Sequence, residues 1–220
     1  MRFLPFKKLL FATSFLLAGS TLVRAQRFEV MTTGGGLVQS NKPSNYGGFD
    51  GPSIGYIFNI KAGLLFPSRT GVALFYEQAR LKYKRSAFSK IFNARLADPQ
   101  TSVGLELYRK SFVGNTAAYL RYSFFGACSF SQTNDFFPGN GAEARTGSGF
   151  ATGIDVAYIF PLARRLSGVL NGGVHFYQSF YNFGSYRPQV QTIGIPLTIG
   201  LHYKFAGRGR QATPFSKEAE

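Results

Sequence analysis

The chain has 220 residues, enough for one ordinary domain and hardly two. It is basic, with 25 Lys and Arg against 10 Asp and Glu, rich in Gly, Phe and Tyr, and lacks Trp. Its single cysteine, Cys128, excludes an intrachain disulfide and a cysteine-built metal site.

The first residues carry Arg2, Lys7 and Lys8, then an apolar run from about Leu9 to Ala18, then a polar stretch ending Val23-Arg24-Ala25. This order predicts a secretory signal peptide over 1–25, cut between Ala25 and Gln26. A run of about ten apolar residues is too short to cross a bilayer as a helix, which takes about 20. Cleavage would remove four positive charges and no negative one, leaving the remainder still basic. Export argues against nucleic acid as the partner of that charge. No later stretch is long and apolar enough for a membrane helix, and no cysteine follows the signal region to carry a lipid.

Beyond residue 26 the period is two, the signature of strands. Ile54, Tyr56, Phe58, Ile60, Ala62, Leu64 and Phe66 share one face, with Gly55, Ile57, Asn59, Lys61 and Gly63 opposite. Residues 120–130 set Leu120, Tyr122, Phe124, Cys128 and Phe130 against Arg121, Ser123, Phe125 and Ser129. Residues 150–160 set Phe150, Ile154, Val156, Tyr158 and Phe160 against Ala151, Gly153, Asp155 and Ala157. The last segment is the cleanest, alternating from Ile193 to Phe205. Segments near 28–39, 72–84, 101–110 and 167–179 alternate less regularly, and in the second of them Glu77 falls on the more apolar face.

These make eight strands. Short connections are expected at 67–70, 111–115 and 161–165, and longer ones rich in Gly, Asn, Ser and Pro at 41–51, 86–99, 133–146 and 181–189. That alternation fits an all-β, eight-stranded antiparallel up-and-down transmembrane barrel over 26–205, with short turns toward the periplasm and long loops outward. A polar tail, 206–220, would follow on the periplasmic side. A soluble barrel would have the same period with its apolar face inward. The face opposite the continuous apolar one is mainly small and polar, with Lys61, Glu106, Arg121 and Asp155. It suits the narrow interior of eight strands better than a wet exterior. Tyr56, Phe66, Tyr158, Phe160, Tyr203 and Phe205, near strand ends, suit interfacial girdles.

The segment from Thr198 to Phe205 resembles the terminal-strand signal of bacterial outer-membrane proteins, with Gly200, Tyr203 and Phe205 at its marked positions. The resemblance implies recognition by the barrel insertion machinery, although the signal commonly ends on the aromatic residue and 15 residues follow here. Over 27–205 the architecture resembles the small barrels grouped around outer-membrane proteins A, X and W, and the Gly, Phe and Tyr usage is similar to exported barrels of Bacteroidota. The implied setting is the bacterial outer membrane, as a monomer.

The sequence offers little for catalysis. His175 and Ser179 share a face, but lipid A deacylases resemble barrels with that pair two residues apart, and no orienting acid is identifiable. His175 and His202 read as polar residues of the lumen. Gly34-Gly35-Gly36 lies within the first strand without the Lys and helix of a phosphate loop, and reads as close packing. Arg80, Lys82, Lys84, Arg85, Lys90 and Arg95 run uninterrupted by acid until Asp98. They are candidates to meet lipopolysaccharide and other outer-membrane lipids, or to be an ordinary solvated loop. The expected role is structural, envelope-contacting or adhesive, without catalytic site, metal or cofactor. A narrow pore and a lipid A-modifying enzyme are the alternatives.

Overall fold

The computed structural model describes residues 27–43, 52–81, 99–137, 140–181 and 189–205. Eight strands run in chain order: β1 Arg27–Pro43, β2 Ser53–Leu65, β3 Thr70–Arg80, β4 Pro99–Phe112, β5 Tyr119–Phe137, β6 Asn140–Pro161, β7 Leu166–Tyr181 and β8 Gln189–Lys204. Each is antiparallel to its sequence neighbour, and β8 pairs with β1 to close the barrel. Closure leaves the body of the barrel without a free edge, and only the β5–β6 hairpin, past Ser131 and before Gly147, extends beyond its outer neighbours.

The two ends differ. At one end lie the connections 66–69, 113–118 and 162–165, together with the start of β1 and the end of β8. The Phe205 N–H donates to the Phe28 carbonyl at 2.9 Å there, tying the last strand to the first. At the other end lie the longer connections. One of these is shorter than its composition suggests. Instead of a loop over 133–146, β5 and β6 continue as one long hairpin with a register irregularity between Asp135 and Phe137. Gly, Asn and Ser signal a turn, but a ladder already formed can carry such residues along.

The faces are inverted relative to a soluble barrel. Ile54, Leu74 and Ile199 on the outer wall are 65–69% exposed, while Lys61, Glu106 and His175 are at most 1% exposed. Outward positions of every strand continue this apolar band, from Phe28 on β1 to Leu201 on β8. Water tolerates contiguous apolar patches of only a few hundred Å². A wall of this kind is made for hydrocarbon, and the barrel is a transmembrane one.

A charged file in a closed lumen

Every strand contributes a titratable side chain to the interior: Glu29, Lys61, Glu77, Glu106 with Lys110, Arg121, Asp155, His175 and His202, in strand order. They form one file of alternating sign. Glu77 faces His175 Nδ1 at 3.2 Å, and His175 Nε2 lies 2.9 Å from Asp155. Lys61 bridges Asp155 at 2.9 Å and Glu106 at 3.1 Å. Arg121 then joins Glu106 at 3.2 Å to Glu29 at 3.7 Å. At the short-turn end Glu29 also pairs with Lys110 and, at 3.2 Å, with His202 Nε2. The Tyr119 hydroxyl meets His202 Nδ1 at 3.2 Å, and the Arg121 guanidinium stacks 3.7 Å from the Tyr108 ring centre.

Local sequence makes the room. A Cβ on Gly153 would stand 2.6 Å from the Phe125 ring and 2.8 Å from His175 Cδ2. One on Gly173 would meet the Asp155 carboxylate at 2.3 Å. These two glycines are the space into which the neighbouring strands' large side chains swing. Burying ions costs several kcal/mol each unless each one is met by an opposite charge, which is what the alternation provides.

Toward the long-loop end the file stops at an apolar plug of Leu37, Ile57, Phe75, Ala79, Leu81 and Phe125 with Tyr177. Phe75 and Phe125 stack at 4.3 Å between ring centres. Tyr177 belongs to both regions: its ring is wholly buried in the plug and its hydroxyl donates to Glu77 at 2.8 Å. A second apolar group, Met31, Tyr119, Ala157, Ile159 and Val169, packs at the opposite end. Both groups are almost wholly shielded from water among the described residues.

Of the residues singled out in the sequence, Lys61, Glu106, Arg121 and Asp155 are brought together, as consecutive members of the file rather than isolated charges. Glu77, out of pattern by sequence, faces inward with its apolar neighbours because that face of β3 is the plug. Glu29 and Lys110 escape a reading for isolated motifs; each falls on its strand's inward parity, which is the signal that marks them. His175 and Ser179 both point inward on β7. Four residues of strand separate them by about 13 Å, and both His175 nitrogens face other side chains, so the pair cannot act as base and nucleophile.

Of the glycine triplet, only Gly35 is closely packed: a Cβ there would lie 2.2 Å from the Leu197 carbonyl oxygen across the β1–β8 seam, whereas one on Gly36 would meet open space. Gly200 lies on that seam opposite Thr33, and the Tyr203 and Phe205 rings pack 4.8 Å apart at the short-turn rim. Arg80 ends β3, its guanidinium donating to the Tyr56 hydroxyl at 2.6 Å. Lys82, Lys84, Arg85, Lys90 and Arg95 lie outside the described residues, as do Ala25, Gln26 and the tail.

This is the architecture of the small outer-membrane β-barrels. Among solved structures, Neisserial surface protein A shares 13% identity, with 81% of this chain and 97% of that chain covered at a TM-score of 0.52. A major outer membrane protein from Thermus thermophilus shares 17%, covering 81% and 98% at 0.49. Ail, the attachment invasion locus protein of Yersinia pestis, shares 16%, covering 80% and 98% at 0.41. No protein-family model matches the chain, and no curated protein matches it in sequence.

Proposed function

We propose that this protein sits as a monomer in a bacterial outer membrane, exported through its N-terminal signal, and works through its long loops. The barrel is a rigid mount for envelope contact or adhesion at the outer surface. The observation carrying this reading is the filled lumen. Phe75, Phe125 and Tyr177, at most 1% exposed, pack across its middle, which favours the surfaces over the bore as the working parts. In this reading Arg80 and the five basic residues after it face the outer leaflet's phosphorylated sugars, each worth about 1 kcal/mol near such a surface.

The test has three readings on one preparation. The detergent-extracted protein from the outer-membrane fraction should run faster unboiled than boiled, and planar bilayers holding it should show no unitary conductance. Cells expressing it should bind surfaces or host matrix more than cells carrying a barrel with 82–97 shortened. Steady conductance steps would replace this reading with a pore. Equal binding by both strains would remove the adhesive role and leave a structural one.

A further inference from the structure

Arg80 ends β3 at the long-loop end, but a second cationic surface lies at the opposite rim. Arg27, Arg69, Arg109, Arg164 and Arg165 are all exposed at the short-turn end. Among the described side chains every carboxylate, Glu29, Glu77, Glu106 and Asp155, is committed to the lumen. None of these is therefore left on the outer wall to neutralise this rim.

On one side of it the charge is coupled to shape. Arg69, Arg109, Ser111 and Tyr122 line a recess of about 390 Å³. Arg109 and Tyr122, cross-strand partners in the β4–β5 ladder, also line a larger groove of about 650 Å³. That groove runs up the outer wall between Val72, Leu107, Phe124, Ile154 and Val156, and its surface is overwhelmingly apolar. A cationic pocket at the membrane rim thus opens into an apolar channel at hydrocarbon depth.

Arg69 is held in place at a conformational cost. It has φ +63°, the left-handed region that side chains disfavour, in the turn where its N–H donates to the Phe66 carbonyl at 3.0 Å. The other left-handed residue, in the β4–β5 turn, is a glycine, Gly114, at φ +55°. A glycine would serve the backbone equally well at 69. What Arg69 adds is its guanidinium, stacked 4.9 Å from the Phe112 ring centre at the mouth of the recess.

From this geometry we infer that the Arg69–Arg109 recess and the adjoining groove bind one anionic glycerophospholipid of the periplasmic leaflet. The phosphodiester takes the two guanidiniums and the Ser111 hydroxyl, and an acyl chain lies along Leu107, Phe124 and Ile154. Two planar donors suit a phosphate bidentately, and neither has a carboxylate competitor among the described residues. The inference rests on the barrel spanning a membrane but not on any role of its loops.

The experiment is native mass spectrometry of the full-length protein released from detergent, with phosphatidylglycerol and phosphatidylcholine of identical chains added in equal amounts. The gel shift on boiling is run first, so that failure of the transmembrane reading is seen separately. One phosphatidylglycerol per barrel should be retained about tenfold over phosphatidylcholine, which carries the same phosphodiester but also a quaternary ammonium that the two guanidiniums repel. Arg69→Gly and Arg109→Gln should each abolish that preference, and Arg69→Gly should keep the gel shift because the turn favours glycine. Val72→Phe, narrowing the groove, should weaken retention of both lipids. Arg164→Gln with Arg165→Gln should change nothing. Equal loss from the Arg164/Arg165 pair would show a diffuse basic rim and overturn the site. So would release of the lipid by inorganic phosphate alone, which would mean the groove plays no part.

Discussion

The two halves of the lumen fill the same barrel by opposite means. Toward the short turns, acids and bases from all eight strands alternate in a file from Glu77 to Lys110. Toward the long loops, Leu37, Ile57, Phe75 and Phe125 pack across the bore in an apolar cluster, and the buried side chains that accompany it there, such as Gln39, Gln100, Ser102 and Thr192, are mostly neutral. A packed plug excludes water without polar obligations, and its cost of disturbance scales with the volume removed. A charged file cannot lose one member without stranding the next. The difference teaches that burial alone says little about how an interior answers substitution, because what each buried group leaves behind decides it.

The largest effect should come from the file's most connected cation. Lys61→Met leaves Glu106 and Asp155 buried without their shared partner and should cost about 3–5 kcal/mol of stability. Urea unfolding of the barrel in lipid vesicles, followed by loss of the unboiled gel band, measures it. Adding Glu106→Gln and Asp155→Asn to Lys61→Met should recover part of that loss; a triple variant no more stable than the single would mean that shape, not charge, holds the file. Leu37→Ala in the plug should cost about 2–4 kcal/mol by the same assay, with no partner substitution able to restore it. If Leu37→Ala conducts ions in planar bilayers while Lys61→Met does not, the plug alone is the seal.

Much of this was legible in the sequence. The strict alternation of 54–66 and 193–205 fixes both strands and their faces, since a one-residue slip would turn every side chain over. Inward parity marks Lys61, Glu106, Arg121 and Asp155. What a strand-by-strand reading could not supply is pairing across the bore: Lys61 and Asp155 are 94 residues apart, and only closure of β8 on β1 brings them to 2.9 Å. Glu77 looked misplaced for the same reason, because the polar partners that explain it, His175 and Tyr177, come from β7. The groove beside Arg109 was hidden too, since it is made of side chains from four strands and one turn.

The smallest effect should arise where the halves meet. Tyr177→Phe keeps the ring in the plug and removes only the hydroxyl that donates to Glu77 at 2.8 Å. Losing a hydrogen bond to a buried carboxylate should cost about 1.5–3 kcal/mol, read from the same urea midpoint. Bilayers should remain silent, because the ring that fills the bore is untouched. Glu77→Gln supplies the control: in that background Tyr177→Phe should cost less, since a neutral amide is a weaker acceptor than a carboxylate. If Tyr177→Phe costs the same with Glu77 or Gln at 77, the hydroxyl bond does not couple the two regions. The plug and the file would then be independent fillings stacked in one barrel, and Tyr177 would belong to the plug alone.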